Sequence, residues 1–273
     1  MKVRIKFQKY GAMKFIGHLD VMRYFQKVFR RAGIDNEYTK GYSPHQIMSF
    51  AAPLGVGLTS DSEYVDVQLL SSDAPVMMIE RINSVLTEGF RITGYHFLLE
   101  REEHKKTITA MSLVSAADYL VSLKDGYEID TIGTQEEFQN KFMVFLSGQE
   151  IVIDKKTKTS EKSVDIKPMI TFAAFSLEEY EKKRRSTQDI SGIISKEEVR
   201  PKSVADIYDN GIKVYLQIDT GSSVNLKPEL VMEAFCNYLE VDFKSFAWQV
   251  HRLEIYSRDE GSGKRIPLDK LER

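Results

Sequence analysis

Apolar and polar residues alternate with a period of two at the start of the chain and change to a helical period soon afterwards. Residues 3–9 place apolar side chains at every second position, which predicts a half-buried strand. Residues 19–32 repeat apolar side chains every three to four positions and stop at Gly33, which predicts an amphipathic helix. The first hundred residues are predicted as strand, helix, strand, strand, helix, strand, over residues 3–9, 19–32, 36–39, 64–69, 74–88 and 90–99.

The second half of the chain repeats this order less regularly. Thr134 and Glu137 have the spacing of a capping box, ahead of three phenylalanines at helical spacing. The predicted elements are a strand, a helix, a hairpin, a strand, a helix and a strand, over residues 119–123, 134–145, 150–170, 212–218, 228–239 and 250–256.

The order βαββαβ is that of the ferredoxin-like plan, so the chain is predicted to be an α+β protein built from two ferredoxin-like units. The first unit is residues 1–105 and contains a basic helix, and the second is residues 106–273. An insertion of about residues 177–210 in the second unit begins with a run of charges and is predicted to be a surface excursion. This plan hosts many functions and determines none of them.

Composition limits the chemistry that the chain can carry. The single cysteine, Cys236, excludes a disulfide framework and an iron–sulfur cluster held by this chain alone, because such clusters usually need three or four thiolates. The first residues have the alternation of a strand, so no signal peptide is predicted, and no apolar run has the length of a membrane span. A cytoplasmic protein without membrane contact is therefore expected.

Positive charge is concentrated at the start of the chain. Residues 1–45 hold ten Lys or Arg against three Asp or Glu, a balance of +7, so the total of −2 leaves −9 for residues 46–273. A basic region on an acidic body predicts an anionic partner for that region, either nucleic acid or an acidic protein.

Four basic residues on the first helix share the side opposite its apolar stripe because they are spaced by four, three and four. They are Arg23, Lys27, Arg30 and Arg31. Such a row can hold phosphates, and the nearby rings of Tyr24 and Tyr42 offer surfaces on which bases can stack. The alternative is that the row is only the solvated face of an amphipathic helix.

His18 and Asp20 lie at the predicted start of this helix, and His45 follows a turn rich in glycine and proline. Capping and the helix dipole explain the first two residues without any chemistry. If the three side chains converge, they could act as acid and base or bind a metal.

Three further segments contain candidate polar residues. Residues 53–57 are rich in glycine, but no Gly-Lys-Ser/Thr follows, so a nucleotide phosphate loop is excluded. Glu63 and Asp66 are an odd number of positions apart on a predicted strand, so they point to opposite faces. His251 and Arg252, on the last strand, are predicted either to bind phosphate or to pair with a neighbouring acid such as Glu254.

Several of these segments together resemble the bacterial radical-SAM-linked family. The resemblance covers about the first seventy residues, with weaker similarity near residues 164–168 and 251–252. Gly17 replaces an expected serine, and Gln46 replaces an expected proline. The matching segments are Phe15-Ile16-Gly17-His18-Leu19-Asp20, Arg23, Arg30-Arg31-Ala32-Gly33, Gly41-Tyr42-Ser43-Pro44-His45, Pro53-Leu54-Gly55-Val56 and Glu63-Tyr64-Val65-Asp66.

The resemblance implies a radical SAM protein as partner, which would supply the iron–sulfur cluster and the SAM that this chain does not hold. The leading hypothesis is an accessory protein, not an enzyme by itself, that binds transfer or ribosomal RNA through the basic helix, with Tyr42 and Arg252 as further contacts. One alternative is an RNA-processing or metal-dependent enzyme that uses His18, Asp20 and His45. The other is a protein–protein adaptor that binds no nucleic acid.

Overall fold

The computed structural model of the protein describes residues 1–98, 109–156, 161–188, 201–222 and 224–271. This part of the chain is a mixed α/β structure with six α-helices and one large, mostly antiparallel sheet. The strands are β1 (Lys2–Lys9), β2 (Met48–Phe50), β3 (Thr59–Gln68), β4 (Phe90–Leu98), β5 (Ala116–Leu123), β6 (Val152–Lys156), β7 (Glu161–Asp165), β8 (Ile170–Ala174), β9 (Lys213–Asp219), β10 (Trp248–Arg258) and β11 (Arg265–Pro267). The helices are α1 (His18–Arg31), α2 (Pro75–Asn83), α3 (Ala110–Leu113), α4 (Gln135–Ser147), α5 (Leu177–Thr187) and α6 (Pro228–Tyr238).

The large sheet runs in the order β4-β1-β3-β10-β5-β9-β8, with β2 added to β3 and β11 added to β10. Neighbouring strands are antiparallel except where the two halves of the chain meet. There, β3 and β10 run parallel and pair at only two positions, Thr59 with His251 and Ser60 with Arg252. The seam between the halves therefore has few backbone hydrogen bonds, and contacts between side chains must supply part of its stability.

One face of the sheet is covered by four helices. In the first half, α1 and α2 bury Phe25, Phe29 and Met78 against β1 and β3. In the second half, α4 and α6 bury Phe138 and Phe235 against β5 and β10. The apolar stripe that predicts α1 is thus the side that contacts the sheet, and its basic side faces solvent.

The opposite face of the sheet is partly covered by α5. The sequence pattern did not predict this packing, because the start of the helix is a run of charged residues. Tyr180 and Arg184 on this helix are buried, and the Tyr180 hydroxyl donates to Asp118 Oδ2 at 2.8 Å. The prediction of a surface excursion is wrong for α5, because one side of this otherwise charged helix packs on β5 and β9. Residues 189–200 of the predicted insertion, and the predicted boundary between residues 105 and 106, lie outside the described residues.

Most predicted elements are confirmed, with one clear exception. The predicted strand over residues 36–39 is wrong, since only isolated bridges occur there, at Asn36 and Tyr38. The strand that pairs with β3 is β2, about ten residues later, because the intervening segment turns back on itself through the Tyr38–Gln46 bridge. None of the described helices has the length and apolar character needed to cross a bilayer.

Candidate functional site

A cleft of about 580 Å³ opens on the helix-covered face, where the two halves of the sheet meet. Its walls come from residues 51–56 and 58, from residues 220–222 and 225–229, and from His18 in the first turn of α1, and most of the wall surface is apolar. Met111, Val114 and Tyr119 complete the lining. Gly57 has a φ of +88°, which glycine adopts freely, and its N–H donates to the Lys14 carbonyl at 2.7 Å. This hydrogen bond fixes the glycine-rich wall beside the start of α1.

A buried ion pair forms the floor of the cleft. Arg252 Nη1 donates to both oxygens of Glu63, at 2.9 and 3.0 Å, and to the Ala52 carbonyl at 3.2 Å. The guanidinium also lies 5.7 Å from the centre of the Tyr119 ring. Burial alone would lower the pKa of Arg252, but Glu63 and Tyr119 raise it above its ordinary value, so the guanidinium stays charged. The pair connects β3 to β10 across the short seam.

Lys9 and His18 extend this polar floor toward α1. Lys9 is buried at the end of β1, and its Nζ donates to the Ile16 carbonyl at 3.1 Å. Burial lowers the pKa of Lys9, and burial together with the charge of Lys9 lowers the pKa of His18. His18 is the first residue of α1, and its ring lies edge-on to Phe50.

The opposite wall of the cleft is the start of α6. Lys227 and Pro228 begin this helix without a side-chain cap, and Glu229 follows in its first turn. Among the described residues, Glu229 Oε2 and Arg252 Nε are both buried without a hydrogen-bond partner. Leaving buried polar atoms unpaired costs about 1–3 kcal/mol each, so the cleft is suited to a ligand that supplies the missing partners.

The basic side of α1 forms a second candidate surface, directly outside the cleft. Arg23, Lys27, Arg30 and Arg31 are all exposed. Arg23 lies 3.5 Å from Asp20, and within the described part of the chain the other three have no acidic partner. A helix rises about 1.5 Å per residue, so the row begins about 8 Å from His18 and leads away from the cleft.

The loop of residues 37–46 lies beside this row. Gln46 Nε2 donates to the Gln26 carbonyl at 3.3 Å, which fastens the loop to the middle of α1. Tyr42, at the tip of the loop, is fully exposed, and Lys40 is exposed as well. We call α1 and this loop together the basic face, which is defined by Arg23, Lys27, Arg30, Arg31, Lys40 and Tyr42.

Residues 2–228 match the model of a bacterial family, DUF2344, described as an uncharacterized protein conserved in bacteria. The chain belongs to this family. No curated protein matches the chain.

In this DUF2344 protein the three residues His18, Asp20 and His45 have separate surroundings. His18 lines the cleft, Asp20 is exposed beside Arg23, and His45 accepts a hydrogen bond from, or donates one to, Thr39 Oγ1 at 3.0 Å. No three His, Cys, Asp or Glu side chains could hold a metal ion in the part of the chain that the structure describes, so these three do not form a metal site. The reason is that the loop turns His45 toward its own backbone at the exposed end of the loop.

The other predicted residues also find partners. Arg252 is buried against Glu63 and not against Glu254, so it lines the cleft instead of extending the basic face. His251 points to the opposite side of the sheet, where Nε2 lies 3.1 Å from Asp61 Oδ2. Tyr24 is half-buried, with one face of its ring stacked on Phe90 and the Arg31 guanidinium 5.9 Å from the ring centre.

Glu63 and Asp66 point to opposite faces, as their spacing predicts. Asp66 pairs with Arg4 at 2.8 Å, and Lys6 and Lys14 also pair with acids from distant segments. Fewer of the basic side chains in the first 45 residues are therefore free at the surface than the composition indicates, and most of those that are exposed belong to the basic face.

The sequence interpretation missed Lys9, Tyr119 and Glu229. Lys9 continues the inward positions of β1, two residues after Phe7, and this spacing could have identified it as a buried lysine. The other two have no such signal, because their importance comes from the way in which the halves of the chain pack.

Proposed function

We propose that this chain is an RNA-binding accessory protein that presents RNA to a radical SAM enzyme, with the basic face as its RNA surface. The observation that carries the proposal is the combination of four exposed cations on α1 with the exposed ring of Tyr42 beside them. Cations that follow the phosphates and rings that stack on bases are the two components of most single-strand binding surfaces.

The plan of the chain supports the same proposal by analogy. We infer two ferredoxin-like units, since β4-β1-β3-β2 and β10-β5-β9-β8 have the same order when the strands of the large sheet are numbered within each half and the separate β6–β7 hairpin is left out. RNA-binding and RNA-processing proteins use this plan, although many unrelated proteins do so too. In this proposal the partner holds the iron–sulfur cluster and SAM, and the complex works in the cytoplasm.

Binding of total bacterial RNA over a salt series tests the proposal. Four phosphate contacts to a single strand predict a slope of about −3 for the logarithm of the binding constant against the logarithm of salt concentration. The double variant Arg23→Glu, Lys27→Glu should lose RNA binding while its circular dichroism spectrum stays unchanged.

The matched control is Lys182→Glu, Arg185→Glu, which makes the same change of charge at two exposed positions of α5. It should retain at least half of the wild-type affinity at every salt concentration. Equal loss in the two variants would show that only net charge matters, and no binding by the wild type would favour the adaptor hypothesis.

Purification of the tagged chain from its bacterium tests the partner. A radical SAM protein that contains iron should copurify and should remain bound after nuclease treatment. Its absence under crosslinking conditions would contradict the partnership without affecting the RNA result.

A further inference from the structure

The cleft contains two buried polar atoms with opposite hydrogen-bonding character. Arg252 Nε can only donate, and the Glu229 carboxylate oxygen accepts. The Arg252 side chain is only 7% exposed, and its remaining described contacts hold it rigidly on Glu63 and Ala52. A ligand that satisfies both atoms must present both an acceptor and a donor.

The cleft has the size and walls for a planar group of that kind. Its volume of about 580 Å³ lies within the usual range for small-molecule sites, roughly 300–1,000 Å³. Leu54, Val56 and Leu58 line one wall, and Val114 and Leu226 line another, so a flat ring would have apolar atoms on its faces. Tyr119 and His18 add ring edges near the floor.

A nucleobase combines a flat apolar face with an edge that has donors and acceptors side by side. Carboxylates accept from base amino groups, and arginine donates to base oxygen or ring nitrogen atoms. Bases that are turned out of a strand are held in this manner, by hydrogen bonds to the edge and contacts to the faces.

We propose that the cleft binds one unstacked nucleobase that has an exocyclic amino group, with Arg252 Nε donating to the base and Glu229 accepting from its amino group. This inference rests on the proposed RNA function and adds a specific site to it. The first turn of α1 contributes His18 to the cleft, and the basic face begins one to two turns later. A strand held on the basic face could therefore place one base in the cleft.

The test uses free nucleosides, which do not need the basic face. Adenosine, cytidine, guanosine and uridine are titrated separately into the full chain and followed by NMR shifts of protein and ligand. At least one amino-bearing nucleoside should bind about tenfold or more tightly than uridine, the one base of the four without an amino group.

Glu229→Gln should reduce this preference about tenfold, since the new amide no longer offers a charged acceptor to the amino group. The matched control is Glu233→Gln, the same change one turn later on the exposed side of α6, and it should retain the wild-type preference. No nucleoside binding up to the solubility limit, or equal binding of all four in the wild type, would overturn the inference.

The two proposals fail separately. Arg23→Glu, Lys27→Glu should lose RNA but retain nucleoside binding. If RNA binding depends on the basic face while no nucleoside binds, only the base site is wrong. If nucleosides bind selectively while the basic-face variant still binds RNA normally, only the basic face is wrong.

Discussion

Each half of the molecule has a strand followed by a helix that covers the same face of the sheet, β1 with α1 and β5 with α4, but the two helices carry different charges. In the first half, α1 directs Arg23, Lys27, Arg30 and Arg31 to solvent. The residue before this helix is a glycine, so the start of α1 has no side-chain cap. In the second half, α4 follows the corresponding strand, begins with a complete capping box and has two acids in its first turn. An exposed helix face in this arrangement does not need to be basic, so the cations of α1 require another explanation.

The first strand of each half shows a second contrast. Arg4 on β1 is buried in a two-point ion pair with Asp66, at 2.8 and 3.0 Å. Asp118 on β5 is fully buried, and it accepts hydrogen bonds from the Tyr180 and Tyr256 hydroxyls and from Gln217. The first strand of the first half thus pairs a buried charge directly with its counter-charge, whereas the hydrogen bonds to buried Asp118 come from neutral groups.

The largest expected effect on stability comes from removing a core phenylalanine in either half, and it tests whether the two halves unfold as one unit. Phe25 packs against the rings of Phe7 and Phe90, and Phe138 packs against Phe235 and Trp248. Phe25→Ala and Phe138→Ala should each lower the free energy of unfolding by about 3–5 kcal/mol. Denaturant unfolding followed by Trp248 fluorescence and by circular dichroism measures both variants.

Trp248 lies in the second half, so its signal reports whether damage in the first half is transmitted. We expect Phe25→Ala to shift the Trp248 transition, because the Arg252–Glu63 pair and the continuous sheet join the halves. A Trp248 transition that stays in place would show that the halves unfold independently.

Removing the partner of Arg4 should have the next largest effect. Asp66→Asn leaves a buried guanidinium without its counter-charge, and we expect a loss of about 3–5 kcal/mol in the free energy of unfolding. The double change Arg4→Met, Asp66→Leu should recover much of this loss. A double variant no more stable than Asp66→Asn would show that the pair has another role, such as anchoring the Leu268 carbonyl.

Asp118 should make the stability of the protein depend on pH. Burial raises the pKa of Asp118 to about 6, despite the hydroxyls of Tyr180 and Tyr256, the amide of Gln217 and the charge of Arg184. Between about pH 4 and 6 the native state therefore holds more protons than the unfolded state, so stability falls as the pH rises through this window. The loss should reach about 3 kcal/mol by neutral pH.

Asp118→Asn isolates this contribution from the other carboxylates. The oxygen of the new amide can still accept from both tyrosines. Gln217 now directs its Nε2 at the other carboxylate oxygen, so the new N–H can donate to Gln217 Oε1 once the Gln217 amide turns over. Denaturant unfolding at several pH values should show that the variant loses the wild-type decline between about pH 4 and 6. Parallel curves for the two proteins would contradict the assignment.

Sequence patterns predicted the parts of the fold in which one side of an element meets the core. The alternation of β1 and the stripe of α1 belong to this kind, and so does the assignment of Glu63 and Asp66 to opposite faces. The cleft was not predictable in this way, because Arg252 and Glu63 are 189 positions apart and meet at a seam of two paired residues. The burial of Tyr180 was not predictable for a different reason. A single buried ring in a charged helix does not produce a repeating pattern of apolar positions.

The smallest expected effect on stability is the most direct test of the contrast between α1 and α4. Lys27→Gln and Arg30→Gln should leave the unfolding midpoint unchanged, because both side chains are exposed and have no acidic partner in the described residues. Each should reduce the steepness of the salt dependence of RNA binding by about 0.7, the value for one phosphate contact to a single strand. Lys141→Gln removes the only basic residue of α4 and should leave that slope unchanged. If it lowers the slope as much as the α1 variants do, RNA senses overall charge and the difference between the two helices has no part in recognition.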